Sequence, residues 1–569
     1  EIKNIDWYLW EGRAMNSRWL SQYTEQEWDA EIKAFCAKMT DEVFEKALKN
    51  LPEPNYTLRH DQFLARLKER RASLPKLMND FYHFFNSVVD IQASDKHERV
   101  LITDSAGQHL KVQINKISKE GNIKEEIFSR NFDPKITKEI RLYTKDGDDS
   151  VFIDNKTSNI KLRIIAGSGK KYYDLPNVAR PIQLFGRKNG NSKFDGEDEG
   201  MLRKKMSTDT SNVSFYNKDM YGRSSLNLNF GLNRDDGLLA GLNYKIVNPG
   251  FRKSPYGNSQ YFSFLHSFSS SAFRFNYKGD WLKLLGKADL ILKADVYAPD
   301  NTQNFFGVGN ETPNDQRIGY YRTRFNIYQI ESSLRWRRPK STFSVGTQFQ
   351  LYNFDNDDNI GRITNNLPAL NSFDSLTITR GKLFGGVVVN FINNTRDNDL
   401  LPTLGSYIDF KWTATAGLSE FANSFGQFTG SISLYKNLDG RANFVLADRF
   451  GGGITVGKPA FYQNQFLGGQ GNLLGYRQFR FAGQHSFYNN VELRAKLGDF
   501  VSYVLPGQVG LMGFYDVGRV WNSNEKSDKW HHGVGGGMYF APASLTIFRF
   551  VMGHSVEGWY PYVSMSFRY

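Results

Sequence analysis

Three short constellations in this 569-residue chain carry the residue types that do chemistry. The turn "TKDGDDSVF" at 144–152 gathers Asp146, Asp148 and Asp149 around a glycine, an oxygen-rich set suited to a hard cation such as calcium. The stretch "FLGGQGNLLGYRQFRF" at 466–481 places Tyr476, Arg477 and Arg480 in a glycine-studded loop, and "GFYDVGRVW" at 513–521 places Asp516 on an alternating strand. A guanidinium held against such a carboxylate makes a charge-assisted, orientation-specific pair. His531 and His532 are adjacent, so on a strand they point to opposite faces and do not share a metal. No Gly-x-Ser-x-Gly elbow, phosphate-binding Gly-x4-Gly-Lys-Ser/Thr loop or His-Glu-x-x-His pair occurs. As it stands, the chain reads as non-enzymatic.

The elements that must position these groups differ along the chain. Residues 1–98 read as a helical region. Thr24 and Glu27 form a capping box ahead of "EQEWDAEIKAFCAKM", Thr40 or Asp41 caps "EVFEKALKNL", and Pro52 and Pro54 stop that helix. Phe63, Leu64, Leu67 and Leu74 then share one helical face. Residues 99–185 turn β-like, and a second turn, "AGSGKKYYD" at 166–174, is similar to the acidic one. Both look like degenerate copies of the glycine-aspartate nonapeptide of calcium-binding β-rolls. The second copy carries Lys170 and Lys171 where acids are needed, so the pair does not complete a ligand set. Stacked strand–turn units are the structural alternative. Residues 186–212 are Gly-, Asn- and charge-rich without periodicity, a linker by composition.

From 213 to 569 the pattern is alternation. "TFSVGTQFQLY" puts Phe343, Val345, Phe349 and Leu351 on one face, and "NVELRAKLG" sets Glu492, Arg494 and Lys496 opposite Val491, Leu493, Ala495 and Leu497. Aromatic residues are 15% of the chain and glycines number 51, while mean hydropathy is only −0.51. No run approaches the ~18 consecutive apolar residues of a membrane helix. Alternation hides the hydrophobicity of an outer-membrane barrel, because each strand shows lipid only half of its residues. Segments between turn signals number roughly 16, an even count usual for such barrels. The last segment, "YVSMSFRY", is expected to alternate to its end, with Val563, Met565, Phe567 and Tyr569 outward as the terminal signature read by outer-membrane assembly machinery. Net charge is +13, but the basic residues are spread over strands and loops, which argues against nucleic acid. Cys36 is the single cysteine, so no intrachain disulfide forms. The fold class expected is mainly β: a 16-stranded antiparallel transmembrane barrel behind an α+β domain.

With that strand count, the glycine-rich loop falls between strands eleven and twelve. Here the sequence resembles the Omp85 superfamily, outer-membrane barrels that insert or translocate proteins. The resemblance rests on Gly468 and Gly469, Gly475-Tyr476, "NNVELR", "GFYDVGRVW" and "HGVGGGMYFAP", in the family's order. It implies that the loop folds back into the lumen and that Asp516, with Glu492 nearby, receives its tip. The family's tip arginine is replaced by Leu474, so Arg477 or Arg480 is expected to reach Asp516, or Tyr476 and apolar packing hold the loop. No POTRA module is readable in residues 1–185. "SRWLSQYTEQEW", "LKERRASLP" and "KEIRLYTKDGDDSVF" instead resemble a segment that follows a metallophosphoesterase-like domain in Bacteroidota-type barrels, implying a longer protein.

Three functions follow as expectations: insertion or translocation of outer-membrane or secreted proteins, a barrel anchor for a periplasmic domain or partner complex, and a diffusion pore. A filled lumen argues against the pore. Expected partners are outer-membrane lipid and lipopolysaccharide, the assembly machinery and other subunits of an outer-membrane complex. The expected location is the outer membrane with the N-terminal region in the periplasm. No cofactor is expected beyond the calcium candidate.

Overall fold

The structure is a computed structural model that describes residues 5–215, 220–233, 235–501, 506–523, 525–542, 546–565 and 567–568. The chain divides into two compact units, Glu1–Tyr221 and Gly222–Tyr569.

Helices Arg13–Leu20, Glu25–Lys38, Asp41–Leu48 and Asn55–Phe85 open the first unit. Thr24 closes the capping box: its hydroxyl accepts from the Glu27 amide at 3.3 Å, and its own amide donates to the Glu27 carboxylate at 2.8 Å. The 31-residue helix Asn55–Phe85 runs through Pro75 and ends on Phe81, Tyr82 and Phe85, which are buried beside Trp28. The Trp28 indole N–H donates to the Met78 carbonyl at 2.9 Å, tying the two longest helices together.

The chain then shuttles between two sheets. One is parallel throughout, in the order Val88–Gln92, Glu139–Lys145, Lys161–Ala166, Ile182–Arg187, Leu202–Ser207. The other runs Asn191–Asp195, Lys170–Val178, Asp149–Asn155, Glu98–Ser105 in parallel, then adds His109–Ile117 and Ile123–Phe132 antiparallel. Inward residues of both, among them Val100, Ile102, Leu142, Ile153 and Ile164, make one core. Two expected boundaries are corrected. The roll begins at Val88, inside the stretch read as helical, and it continues to Ser207, so 186–212 is not a linker. Asn191–Asp195 and Leu202–Ser207 are edge strands whose outward residues meet water. Their charges mask a period carried only by Phe194, stacked on Tyr173, and the buried Leu202.

The two similar turns stack. A Cβ on Gly169, whose φ is +96°, would fall 2.0 Å from the Gly147 carbonyl oxygen, so only glycine fits this approach. Asp146 accepts from the Ser168 amide at 2.8 Å, Asp148 accepts from the Lys170 amide at 2.7 Å, and Asp149 is paired with Lys171. The buried Lys171 ammonium also donates to the carbonyls of Lys145 at 2.9 Å and Gly147 at 2.8 Å. A lysine therefore lies among the oxygens of these turns. Among the described residues no three His, Cys, Asp or Glu side chains converge on one point.

The second unit is a closed antiparallel barrel of sixteen strands. They are β1 (Arg223–Asn233), β2 (Gly237–Gly250), β3 (Lys253–Ser267), β4 (Phe273–Leu285), β5 (Ala288–Tyr297), β6 (Arg322–Arg337), β7 (Ser341–Phe354) and β8 (Lys382–Asn394). There follow β9 (Gly405–Gly417), β10 (Phe425–Asn437), β11 (Phe444–Gly457), β12 (His485–Phe500), β13 (Gly507–Trp521), β14 (His531–Pro542), β15 (Phe548–Ser555) and β16 (Gly558–Ser564). Alternation sets the faces: Phe343, Phe349 and Leu351 of β7 and Leu493 of β12 are exposed, whereas Ser344, Glu492 and Arg494 are buried. No described helix is long and apolar enough to cross a membrane. The odd-to-even connections, including the long β5–β6, β7–β8 and β11–β12 loops, share one end of the barrel.

β1 pairs with β2 along its whole length, from Arg223 opposite Val247 to Asn233 opposite Gly237. Against β16 it pairs, among the described residues, only at Leu232 opposite Val563. The alternation expected to run to residue 569 stops with β16 at Ser564. Phe567, expected outward, packs inward because Arg494, Tyr539, Leu400 and Leu401 surround it. Met565 borders the β1–β16 gap, and Tyr569 lies outside the described residues.

Candidate functional site in the barrel lumen

The β11–β12 loop enters the barrel as a small hairpin, Gln465–Leu467 paired with Phe481–Gly483. Gly468 and Gly469 lead out of its first strand, and Asn472 ties the tip back by accepting from the Gly468 amide at 2.9 Å and donating to the Phe466 carbonyl at 2.9 Å. Gly475 has φ +90°, and a Cβ there would lie 2.7 Å from the His554 carbonyl oxygen. That close approach lets its amide donate to the Tyr562 hydroxyl at 3.1 Å, while its carbonyl accepts from Ser555. The Tyr562 hydroxyl in turn donates to the Tyr476 carbonyl at 2.9 Å. The Tyr476 ring is buried, edge-on to Phe481 at 5.4 Å between centroids, and Phe481 stacks on His531 at 3.6 Å. Apolar packing thus does hold this loop, with Leu467, Leu473 and Val520 in the same cluster.

The charges are distributed differently from the expected arrangement. Neither Arg477 nor Arg480 reaches Asp516. Arg477 pairs with Asp235 of the β1–β2 turn at 2.8 Å, and the Gln478 amide donates to the same carboxylate at 2.8 Å. Arg480 pairs with Glu557 of the β15–β16 turn at 2.5 Å and donates to the Thr312 hydroxyl and carbonyl at 2.8 and 2.7 Å. Each arginine finds an acid close to where the loop leaves the hairpin, and those acids lie on turns rather than deep in the wall. Asp516, fully buried, accepts from the Leu474 amide at 2.8 Å and from both Arg568 guanidinium nitrogens at 2.7 and 3.0 Å. Where an arginine tip was expected, the loop therefore offers a backbone N–H, and the guanidinium comes from the C-terminal tail. Glu492 is buried and bonded to Arg494 at 2.6 Å.

Beneath this hub, Arg449 of β11 donates to Asn490 at 2.7 and 3.1 Å, to the Gly471 carbonyl at 2.5 Å and to the Arg568 carbonyl at 3.3 Å. Gln470 approaches the Val563 carbonyl at 3.5 Å. The loop thus contacts β16, one of the two strands that flank the gap, and the β1–β2 turn. The gap itself is a cavity of ≈ 800 Å³ bordered by Asn227, Phe230 and Leu232 on one side and by Val563, Ser564 and Met565 on the other. A second cavity of ≈ 550 Å³ is lined by the inward residues Lys278, Lys293, Arg335, Asp409 and Lys411 and bordered by Phe466 and Asn472 of the loop.

Sequence reasoning missed two supports. The β5–β6 loop buries Phe305, Phe306 and Asn310. Asn310 donates to the Lys529 carbonyl at 2.7 Å, and its backbone amide to Glu525 at 2.6 Å, linking this loop to the one between β13 and β14. The signal was legible as "NFFGVGNET", an aromatic pair within a glycine-rich loop. At the other end, the β8–β9 turn brings Leu400 and Leu401 against Phe567, and its Pro402 carbonyl accepts from Arg494 at 3.2 Å. Asp397 shapes this turn by accepting from the amides of Thr403 and Leu404 at 2.9 and 3.1 Å.

A family model described as the Omp85 superfamily domain matches residues 256–569. Among solved structures, the chain is similar to BamA from Haemophilus ducreyi lacking POTRA domains 1–3, at 13% identity and a TM-score of 0.47, over 67% of this chain and 73% of that one. It is also similar to CdiB from Acinetobacter baumannii, at 14% identity and a TM-score of 0.39, over 61% of this chain and 59% of that one. No curated protein matches it.

Proposed function

The chain belongs to the Omp85 superfamily, and from that premise we propose that its barrel inserts or translocates other outer-membrane or secreted proteins through the β1–β16 seam. The observation that carries this is the edge of β1. From Ser224 to Gly231 that strand shows no pairing with the described residues of β16, and a cavity opens along it. An unpaired edge at membrane depth leaves N–H and C=O groups that cost several kcal/mol each unless another strand or water satisfies them. Such an edge is a template for adding an incoming strand. The proposed location is the outer membrane with the N-terminal unit in the periplasm, in contact with lipopolysaccharide, the assembly machinery and other subunits. Calcium at Asp146, Asp148 and Asp149 would have to displace the Lys171 ammonium, and it forms no part of this reading.

A second reading makes the barrel an anchor for its N-terminal unit, a phosphoesterase-like domain or a partner complex. It is favoured by the lumen hub, which holds the loop inside the barrel through hydrogen bonds to β13 and β16. One experiment separates the two. Leu232→Cys with Val563→Cys, in a Cys36→Ser background, ties β1 to β16. Under the insertion reading, the cross-linked strain loses other outer-membrane β-barrel proteins several-fold, and reductant restores them. Full cross-linking with unchanged levels of those proteins removes insertion and leaves the anchor.

A further inference from the structure

The even-to-odd turns of the barrel lie at the end where β1 begins, and their charges differ around the rim. In the later turns the cations have acids at hand: Arg396 pairs with Asp399 at 3.1 Å, Lys496 pairs with Asp499 at 2.8 Å, and Arg441 shares the β10–β11 turn with Asp439. The β4–β5 and β6–β7 turns carry Lys283, Lys287, Arg338 and Lys340, and their sequences "KLLGK" and "RRPK" hold no acid. These two turns adjoin, because β5 pairs with β6 as far as Asp289 opposite Arg335. All four side chains are exposed, and none has an ion-pair or hydrogen-bond partner among the described residues. The nearest acids are already taken on the inward side. Asp280 closes on Arg335 at 2.8 Å and accepts from Tyr256 at 3.0 Å, and Asp289 closes on Arg335 at 2.9 Å and Arg337 at 2.6 Å. Beside the cations, Leu285, Trp336 and Phe343 are exposed, and Trp336 and Phe343 are cross-strand partners with ring centroids 6.2 Å apart.

We propose that the β4–β5 and β6–β7 turns form a binding site for an anionic glycerophospholipid of the leaflet at this end of the barrel. The phosphodiester lies among Lys283, Lys287, Arg338 and Lys340, and the acyl chains run along Leu285, Trp336 and Phe343. Cations without a counter-charge at a membrane surface are stabilised by anionic headgroups, and the Arg338 fork matches phosphate oxygens. A tryptophan at the edge of the outward apolar face marks the level at which headgroups sit. Charge complementarity therefore selects an anionic lipid over a zwitterionic one at these two turns, and not at the later turns, whose cations meet acids of their own chain. An acidic protein segment would match the cations but not the apolar belt beside them, which acyl chains cover. The inference rests on the membrane location proposed above, with this end in the periplasmic leaflet, and not on insertion activity.

The test is native mass spectrometry of the purified full chain in detergent, titrated with phosphatidylglycerol or with phosphatidylethanolamine. The intact chain is expected to bind phosphatidylglycerol roughly tenfold or more tightly than phosphatidylethanolamine. Lys283→Gln, Lys287→Gln, Arg338→Gln and Lys340→Gln together should bring the two affinities level. Lys436→Gln with Arg441→Gln, on the β10–β11 turn, should leave the preference unchanged. If the fourfold variant does not fold, as judged by the gel mobility of the unheated barrel, the two turns are changed separately. Each pair is then expected to lower the preference on its own. An intact chain that binds both lipids alike overturns the proposal and leaves these cations to an acidic protein partner. A preference that survives removal of the cations, or that falls equally in the β10–β11 control, belongs to the overall charge of the barrel, and the proposal fails. None of these outcomes bears on client levels in the cross-linked strain, so the insertion reading stands or falls separately.

Discussion

The β-roll and the barrel are written in the same period-two alternation and give their apolar residues opposite addresses. In the roll, Val100, Ile102 and Ile153 face one another and are buried. In the barrel, Phe349 and Ile454 face outward and are more than half exposed, while Arg494 and Asp516 are buried inside. Charge follows the inverse rule. The roll closes its buried charges off among near neighbours, as Asp149 with Lys171 and Glu139 with Arg141 and Arg163. The barrel lumen holds connected charges from strands far apart in sequence. Alternation thus specifies that a strand has two faces, and the partners available to the polar face decide which solvent the apolar face meets.

The largest break in this comparison is expected in the roll. Lys171→Met leaves the Asp149 carboxylate buried and unpaired, at a cost of about 3–5 kcal/mol. Lys171→Met with Asp149→Leu should recover most of that, since an apolar pair of similar volume suits this core. Hydrogen exchange of the strands Asp149–Asn155 and Lys170–Val178 in the full chain measures both. Equal destabilisation by the single and double variants would mean that the ammonium's bonds to Lys145 and Gly147, rather than the charge pair, hold the turns together.

Next in size is a test of the barrel's inverted address. Phe349→Lys puts a charge on the outward face of β7 and is expected to cost about 2–4 kcal/mol near the centre of the membrane. Gln348→Lys, one residue away and facing the lumen, is expected to cost less than about 1 kcal/mol. Urea titration of the folded barrel in lipid, followed by gel mobility, compares them. Equal penalties at the two positions would mean that the outward face of β7 does not meet lipid.

Much of this was legible from single segments. Alternation placed Phe343, Phe349 and Leu493 outward, the Thr24–Glu27 spacing set a helix start, and the glycines of 468–475 marked a loop that turns sharply. What was not legible is pairing across the barrel. Asp516 is visibly inward, but inward residues recur on every strand, and nothing local says that Arg568 rather than Arg477 or Arg480 arrives beside it. The edge strands Asn191–Asp195 and Leu202–Ser207 escaped for a related reason. With one sheet face toward water and no neighbour on one side, their charged residues look like a linker. The β8–β9 turn was missed because its apolar residues, Leu400 and Leu401, find partners only in the closed barrel.

The smallest expected effect sharpens the comparison from the side of pH. In the parallel sheet of the roll, Glu139 accepts from Arg141 at 2.7 Å and from Arg163 at 2.8 and 3.2 Å. Burial pushes this carboxyl up, but the two guanidiniums outweigh it and bring the pKa down to about 2. A carboxyl held below its unfolded value of 4.5 adds stability that is fully present above that pH. The contribution is lost as pH falls from 4.5 toward about 2, and it amounts to no more than about 3 kcal/mol. Acid titration of the protease resistance of residues 88–207 in the full chain should show this limb. Glu139→Gln should flatten it and lower the plateau at neutral pH, because Arg141 and Arg163 then lose their shared carboxylate. An unchanged acid limb in Glu139→Gln would place the acid sensitivity on another carboxylate of the roll and show that this ladder is not what titrates.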